Sequence, residues 1–406
     1  MAPFNRNGTA SVTAVAADAW SALLRLALVV LLAMAPWFTT AAIVGPLRVA
    51  WRLSPGDAAW LTIAAQIGFV AGALLSALLN LADLVRPRYL MLAGGLAAAA
   101  ANLVLADCQS FGGAWPWRFA TGACLALVYP PALKLMATWF RARRGAALGI
   151  MVGALTVGAA LPHLVNALGG ADWRQVVVWT SAITALGGIL GGLLGREGPF
   201  PFARARFDPG EIAAALADRK LRLAMIGYLG HMWEMIAMWS WLSPFLATVL
   251  VRRAPLAAFA AIGFGGIGCW AGGLLSDRWS RERAAAACLT VSGACALSLG
   301  WLQNRSPLAV LILASVWGFF VVADSAQFSV LVTELADPCY VGTALTAQLG
   351  GGFTLAAVTV WLIPFISTHW GWGWAFSVLA LGPLIGITAM RTLERARAAA
   401  FIKPIS

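Results

Sequence analysis

The sequence predicts an all-α, polytopic membrane protein in which twelve transmembrane helices form two similar six-helix bundles. Hydrophobic residues make up 61% of its 406 residues, and charged residues only 11%. Soluble domains usually carry about 25% charged residues, so this chain has too few charges to cover a surface in water. Twelve apolar runs give the number of helices, and two similar basic turns half a chain apart indicate the division into halves.

A helix needs about 20 mostly apolar residues to cross the hydrocarbon core of a bilayer. By this criterion we expect spans at 22–46, 57–80, 89–107, 116–140, 145–168, 175–195, 221–249, 256–276, 284–302, 307–330, 342–366 and 373–390. One long polar stretch separates the first six from the last six. We therefore expect an N-terminal bundle at 1–195, a linker at 196–220 with one amphipathic helix at 209–219, and a C-terminal bundle at 221–406.

Lysine and arginine counts indicate the orientation, because cytoplasmic loops carry an excess of both. With the N-terminus inside, 21 of the 28 basic residues lie on the cytoplasmic side. Both termini are thus expected in the cytoplasm, with the chain in the cell (inner) membrane. The net charge of +12 is spread over short loops, so the expected partner is the lipid bilayer rather than nucleic acid. The first apolar run is too long for a signal-peptide core and is expected to remain as an anchor.

The six cysteines show no paired spacing and lie mostly within apolar runs, so we interpret them as small hydrophobic residues. The sequence contains no phosphate-binding loop, no cluster with metal-ligand spacing and no nucleophile constellation. We expect no cofactor, no metal and no enzymatic activity, and ATP-driven pumping is disfavoured.

The two basic turns indicate an internal duplication. The clearer turn, 273–283, reads Gly-Leu-Leu-Ser-Asp-Arg-Trp-Ser-Arg-Glu-Arg, and a weaker copy, Asn-Leu-Ala-Asp-Leu-Val-Arg-Pro-Arg, covers 80–88. Their aspartates are 194 residues apart. A second repeated segment is Arg-Gly-Ala-Ala-Leu at 144–148, which is similar to Val-Gly-Thr-Ala-Leu at 341–345, an offset of 197. Internal repeats at a constant spacing are common in transporters.

These motifs resemble those of the major facilitator superfamily, over about residues 20–390. The family signature Gly-x-Leu-x-Asp-Arg-x-Gly-Arg-Arg is matched by Gly273, Leu275, Asp277, Arg278, Arg281 and Arg283, with Ser280 in place of a glycine. Arg118 and Gly122 resemble its Arg-x-x-x-Gly motif. The Trp-Phe…Arg-Gly turn at 139–145 is similar to that of anion porters of the nitrate/nitrite and cyanate type. The resemblance implies alternating access between two halves, with spans 1, 4, 7 and 10 lining a central cavity.

Two acidic residues, Glu234 in span 7 and Asp324 in span 10, lie well inside predicted spans. Ionisable groups at membrane depth are costly and indicate function. His231 and Glu234 are three residues apart, on one face of a helix, and histidine titrates near neutral pH. We expect His231, Glu234 and Asp324 to carry proton coupling. The alternatives are a His231–Glu234 pair that only tethers helices and an Asp324 that caps one.

The expected substrate contacts are the polar and aromatic residues of the presumed cavity-lining spans and their neighbours, namely Trp37, Gln66, Arg118, Tyr129, Lys134, Trp239 and Gln327. Each has a simpler alternative. Lys134 is suited to extend towards the membrane interface, the glutamines to join helices, and the tryptophans, with Trp233, Trp241 and Trp317, to pack or form interfacial belts. His163 is expected to be structural.

A cytoplasmic gate is the third expected site. We predict that Asp83 pairs with the basic cluster 141–144 and that Glu334 pairs with Arg278 or Arg281, closing the cytoplasmic side through ion pairs that break on opening. The full set is Asp83, Arg88, Arg144, Asp277, Arg278, Arg281 and Glu334. The alternative is that these charges only set the topology.

The sequence favours a monomeric, proton-coupled secondary transporter of a small organic or inorganic anion. Efflux of a drug or metabolite is the alternative, although span 5 has Gly153-Ala154 where drug antiporters have Gly-Pro. A membrane sensor that does not transport is the alternative from another functional class. Such a sensor would usually carry a soluble domain, and the sequence shows none.

Overall fold

A computed structural model describes residues 7–141, 143–169, 172–200, 210, 217–337 and 340–402. These residues form helices and connecting turns, without a strand among them. The predicted linker helix at 209–219 lies largely outside the described residues, as do Cys339 and the side chain of Asp83.

The described residues confirm the all-helical bundle and supply a helix for each predicted span. Spans 1, 4 and 10 are each interrupted. The helices of spans 1–6 are Asn7–Ala33, Thr39–Ala42 and Val44–Trp51 (span 1), Pro55–Leu78 (2), Pro87–Val104 (3), Phe111–Leu125 and Tyr129–Ala137 (4), Arg144–Gly169 (5) and Trp173–Leu194 (6). Those of spans 7–10 are Arg219–Leu250 (7), Ala254–Arg278 (8), Arg281–Leu299 (9), and Pro307–Ala323 and Ser325–Leu335 (10).

Spans 11 and 12 are joined by a tight turn. Span 11 begins at Val341 in the run Val341–Ser377, which is broken at Gly371, and span 12 ends with Leu381–Ile402. Gly371 has φ of 85°, a conformation that glycine adopts without a steric penalty. Nine helical runs of the described chain are long and apolar enough to cross a bilayer, and two of them, Arg219–Arg278 and Val341–Ala399, each contain two successive spans.

Proline explains two of the three interruptions. Pro36 lies in the non-helical turn after Ala33, and Pro130 and Pro131 open the second helix of span 4. Proline lacks an N–H and disfavours the helical conformation of the residue before it. The break in span 10 occurs at Asp324, without a proline. Such breaks are tolerated at membrane depth only where protein covers the freed backbone groups.

Helix packing repeats with an offset of six spans. Within the first half, span 2 packs on span 4, span 3 on spans 4 and 6, and span 1 on spans 5 and 6; within the second half, span 8 packs on span 10, span 9 on spans 10 and 12, and span 7 on spans 11 and 12. The two halves meet where span 5 packs on span 8 and span 2 on span 11. The contacts are those of two similar bundles related by a pseudo-two-fold axis.

One pair of glycine contacts repeats at a constant spacing. A Cβ added at Gly122 would overlap the carbonyl oxygen of Ala65, and a Cβ at Gly318 would overlap that of Ala261. Both members of the second pair lie 196 residues after their counterparts. Small residues allow helix backbones to approach closely in membranes, so spans 2 and 4, and spans 8 and 10, are held together in the same way.

Replacing Gly122 with alanine is expected to separate spans 2 and 4 and to lower stability by about 1–3 kcal/mol, because the added methyl group has no space against the Ala65 carbonyl. Gly112→Ala is the matched control, since no atom lies within 4 Å of the added Cβ there. Thermal unfolding in detergent measures both. Equal unfolding temperatures for the two variants would contradict the prediction.

Candidate functional site

The two halves contact each other at both ends of their interface. We call the end where span 6 ends and span 7 begins the linker side, and the opposite end the far side. On the far side, a Cβ added at Gly56 would lie 3.9 Å from Trp361 Nε1. On the linker side, a Cβ added at Gly145 would lie 3.4 Å from Asp277 Oδ1. The two halves are therefore in contact on both sides, and several aromatic rings lie between these contacts.

Five rings form what we call the aromatic layer: Trp37, Phe38, Phe69, Trp239 and Phe353. The Trp37 ring lies 4.7 Å from the Phe69 ring and 5.7 Å from that of Phe353, centroid to centroid. The rings of Phe38 and Trp239 meet edge to face at 5.7 Å. Spans 1 and 2 of one half thus pack here against spans 7 and 11 of the other. Large flat side chains at this position suit contact with a flat ligand.

Three polar groups next to these rings have no hydrogen-bond partner in the described protein. They are the indole N–H groups of Trp37 and Trp239 and the side-chain amide of Gln66, all buried. Gln66 lies on one face of span 2 with Thr62, which contacts Thr40 of span 1 at 3.3 Å, and with Phe69. A buried donor without an acceptor costs free energy. These groups are therefore suited to hydrogen-bond a substrate, and the structure brings together three of the predicted substrate residues.

Arg118 is a correction to the predicted substrate contacts. Its side chain is fully buried within the first half. It donates through Nη1 to the Pro36 carbonyl at 2.9 Å and to Asn102 Oδ1 at 3.0 Å, through Nη2 to the Trp37 carbonyl at 2.7 Å, and through Nε to the Leu61 carbonyl at 3.4 Å. These acceptors include carbonyls at the break in span 1. Arg118 therefore stabilises that break and has little donor capacity left for an anion.

The structure replaces the predicted His231–Glu234 pair with a His231–Asp324 pair. Nδ1 of His231 lies 2.9 Å from Oδ1 of Asp324, and Nε2 lies 2.7 Å from the hydroxyl of Ser325. The first contact places the imidazole within ion-pair distance of the carboxylate, and neither Asp324 oxygen has a well-aligned hydrogen-bond partner among the described residues. Both side chains are only 1% exposed. Asp324 occupies the N-cap position of Ser325–Leu335, but its side chain makes no capping hydrogen bond there.

Glu234 points to other partners, although it shares a helix with His231. Its Oε1 accepts a hydrogen bond from Trp317 Nε1 at 2.6 Å, and its Oε2 accepts one from the Ser292 hydroxyl at 2.9 Å. Ser292 lies on span 9 and Trp317 on span 10, so these bonds tie span 7 to two helices of its own half. Both carboxylate oxygens are satisfied inside the second half, which is the tethering role that the sequence left open for this side chain.

The remaining substrate candidates of span 4 lie closer to the linker side than the aromatic layer. Tyr129 is half-buried at the break in span 4. Lys134 is half-buried five residues later, in the last turn of the same short helix. A positive charge thus lies near the linker-side end of span 4.

Several other predicted residues have internal contacts. The indole N–H of Trp233 donates to the Val378 carbonyl at 3.0 Å, and that of Trp241 to the Val360 carbonyl at 2.9 Å. These two tryptophans pack within the second half, as their alternative interpretation expected. His163 is buried in span 5 with both ring nitrogens unpaired.

Arg281 is the centre of the linker-side charge network. Its Nε lies 3.1 Å from Glu334 Oε1, which confirms the predicted contact. Its Nη1 lies 2.9 Å from the Ser276 hydroxyl, 3.4 Å from Gln327 Oε1 and 3.5 Å from Asp277 Oδ1. Gln327 therefore contacts this network as well as carrying an unpaired amide nitrogen.

The network lies in the second half but touches the first. Arg397 of span 12 extends it by bonding Glu334 at 3.2 Å and the buried Glu282 at 2.9 Å. Opposite, the start of span 5 packs so closely that a Cβ at Gly145 would lie 3.3 Å from Arg281 Nη1. Carboxylates near a helix N-terminus are favoured by the helix dipole, and Asp277 has this position relative to span 5.

The other predicted gate residues make local contacts. Arg88 donates to the hydroxyl of Tyr89 at 2.8 Å, and Arg144 donates to the Phe140 carbonyl at 2.9 Å. Arg278 is exposed.

Comparison with known proteins decides the family. The model of the Major Facilitator Superfamily matches residues 26–348. The chain belongs to the major facilitator superfamily. None of the curated proteins compared matches it. The nitrate/nitrite and cyanate resemblance gains no support from these matches.

Solved structures of superfamily transporters share the fold. One is a bacterial homolog of the human lysosomal transporter Spinster, in an inward-facing and occupied conformation, with 14% identity, a TM-score of 0.66 and coverage of 92% of this chain and 96% of that one. Another is the nucleoside transporter NupG (D323A mutant), with 12% identity, a TM-score of 0.70 and coverage of 92% and 99%. At such identities the likeness extends to the fold alone.

Sequence reasoning missed five residues of these networks: Asn102, Ser292, Ser325, Phe353 and Arg397. Asn102 is a single amide in the alanine-rich span 3, and an isolated polar residue in a membrane span is a signal of an interhelical contact. Ser325 follows directly after a predicted coupling residue. The other three had no distinguishing local pattern, because only helix packing brings them to their partners.

Arg118→Gln is expected to lower stability by roughly 3 kcal/mol or more, because it leaves carbonyls at the span 1 break without their donor. Arg305→Gln, at an exposed arginine of a far-side loop, is the matched control. Thermal unfolding in detergent, without added substrate, measures the difference. A stable Arg118→Gln variant that has lost only substrate binding would restore the original assignment.

Proposed function

We propose that this chain is a proton-coupled secondary transporter that works by alternating access. Two six-helix units, 1–195 and 221–406, joined by the linker 196–220, move against each other in the inner membrane with both termini in the cytoplasm. Membership of a transporter family supports the class, and the repeated helix packing supports two units. The linker side is then the cytoplasmic side.

The observation that carries proton coupling is the buried His231–Asp324 pair. An imidazole and a carboxylate 2.9 Å apart can share one proton or hold two, and histidine is the side chain that titrates nearest to physiological pH. Asp324 lies at the break between the two helices of span 10, so protonation acts on a point where that span can bend. Glu234 is bound by two donors of its own half and holds spans 7, 9 and 10 together.

The aromatic layer is the proposed substrate contact, with Trp37, Gln66 and Trp239 as hydrogen-bond donors to it. An anion remains the first substrate class, because N–H donors suit acceptor oxygens and Lys134 places a basic group on span 4, on the linker side of the layer. The loss of Arg118 from this set weakens that choice. The alternative is export of a flat drug or metabolite, which the buried rings favour. Nucleosides join the compounds to be tested, because the structurally similar NupG is a nucleoside transporter.

Transport into proteoliposomes under an imposed pH gradient is the direct test, with anions, vitamins, nucleosides and lipophilic cations screened in turn. For a compound that is moved, Asp324→Asn and His231→Gln are each expected to reduce gradient-driven transport at least about tenfold, because neither retains a carboxylate–imidazole pair. Glu234→Gln is the matched control: its amide oxygen can still accept one of the two hydrogen bonds, so coupling should persist at reduced stability.

The reverse pattern would contradict this assignment. Coupling that survives in Asp324→Asn and disappears in Glu234→Gln would make Glu234 the proton carrier. Lys134→Gln separates the two substrate classes, because an anion carrier should lose affinity and an exporter of neutral or cationic compounds should not.

The linker-side network is the proposed cytoplasmic latch. Asp277→Asn removes the carboxylate near the start of span 5, and the closed linker side is expected to open more often. Amide hydrogen exchange in the first turns of span 5 should then accelerate several-fold. Glu394→Gln, which removes an acid that contacts Arg283 away from span 5, is the control. Unchanged exchange in Asp277→Asn would leave these charges with a topological role only.

A further inference from the structure

Two basic cavities lie on the linker side, one in each half, outside the proposed transport site. The span 9/12 cavity has a volume of about 410 Å³ and is lined by Trp279, Arg283, Ala286, Ala287, Thr290, Arg391 and Glu394. The span 3/6 cavity has a volume of about 300 Å³ and is lined by Arg86, Pro87, Arg88, Leu135, Gly195, Arg196 and Glu197. Neither set contains a residue of the aromatic layer or of the His231–Asp324 pair.

The two cavities are related by the internal repeat. Arg88 and Arg283 are the last residues of the two basic turns, 195 residues apart, and Arg196 and Arg391 are separated by the same 195 residues. Each cavity therefore has one arginine near the start of a span and one just after the end of another span. These are Arg88 of span 3 with Arg196 after span 6, and Arg283 of span 9 with Arg391 at the end of span 12. Arginine side chains outnumber acidic ones in both, by two to one and by three to one.

Part of this positive charge has no internal counter-charge. Glu394 contacts Arg283, which leaves Arg391 exposed and without an ion pair among the described residues. In the span 3/6 cavity, Nε of Arg88 is buried and has no hydrogen-bond acceptor in the described protein. Arginine guanidinium groups in such a setting match phosphate oxygens, to which they can donate two bonds at once.

We propose that both cavities bind the phosphate headgroup of an anionic phospholipid from the linker-side leaflet. The span 9/12 cavity changes from charged to apolar along one face of span 9, from Arg283 through Ala286 and Ala287 to Thr290. An exposed leucine of span 12, Leu384, continues this surface towards the membrane centre. A ligand with a phosphate at one end and acyl chains at the other fits this change from charged to apolar surface. A soluble anion would contact only the charged end of the cavity.

Position in the bilayer supports a lipid as the occupant. Trp279 is 56% exposed beside the first cavity, and Tyr89 is 47% exposed beside the second. Tryptophan and tyrosine side chains favour the headgroup level of the membrane. Basic pockets between transmembrane helices at this level are suited to anionic headgroups. Each site joins two outer spans of one half to the lipids of the linker-side leaflet. In the first half these are spans 3 and 6, and in the second half they are spans 9 and 12.

Native mass spectrometry of the full-length protein, titrated with phosphatidylglycerol or phosphatidylcholine, tests the proposal. We expect two phosphatidylglycerol molecules to bind preferentially. Arg391→Gln should weaken one of them about fivefold, the factor for one basic residue near an anionic surface, and leave the other unchanged. Arg391 forms no ion pair among the described residues, so this variant should fold; its unfolding temperature without lipid checks that. Arg305→Gln is the matched far-side control.

Three results would overturn the proposal. The first is equal phosphatidylglycerol binding by Arg391→Gln and Arg305→Gln. The second is phosphatidylcholine binding as tight as that of phosphatidylglycerol. The third is displacement of phosphatidylglycerol by inorganic phosphate at an equal concentration, which would make the cavities sites for a soluble anion.

Discussion

The structure depends on one constraint: a polar group inside the hydrocarbon core must find its partner within the protein, because lipid offers none. Arg118 meets this constraint for the break in span 1, and Glu234 meets it for the junction of spans 7, 9 and 10. Polar groups that remain unpaired, such as the Trp37 and Trp239 indoles and the Gln66 amide, lie together at the interface. Satisfied groups thus join helices within each half, and the unpaired groups next to the aromatic layer are the ones that the proposed substrate site uses.

The duplicated halves meet this constraint with different side chains. In the first half a guanidinium group, that of Arg118 of span 4, joins spans 1, 2 and 3; in the second half a carboxyl group, that of Glu234 of span 7, joins spans 9 and 10. The glycine contacts, in contrast, are repeated without change at a spacing of 196 residues. Backbone packing has therefore been retained in both halves, while the buried polar groups have diverged. A buried polar side chain that joins several helices needs matching hydrogen-bond partners, but it can be either a donor group or an acceptor group.

Sequence alone predicted the helices and their number because apolar length depends only on local composition. It also predicted that Glu334 pairs with Arg278 or Arg281, since all three residues lie at the linker-side ends of their spans, and the structure shows the contact with Arg281. It paired His231 with Glu234 because helical spacing places them on one side of span 7. Spacing within one helix does not show which residue of a neighbouring helix each side chain meets. His231 contacts Asp324 of span 10, whereas Glu234 contacts Trp317 of span 10 and Ser292 of span 9. Arg118 was misassigned for the same reason: its acceptors are backbone carbonyls of other spans.

The placement of the His231–Asp324 pair connects the charge of the substrate to the direction of coupling. A neutral imidazole beside a carboxylate has a charge of −1, and protonation makes the pair neutral. Opposite charges attract strongly in a buried site, so an anion near the pair favours the protonated form, and proton and anion bind together. A cation favours the deprotonated form and competes with the proton. Under the proposed proton coupling, the same pair would therefore support symport of an anion or exchange for a cation, and the charge of the substrate would decide between them.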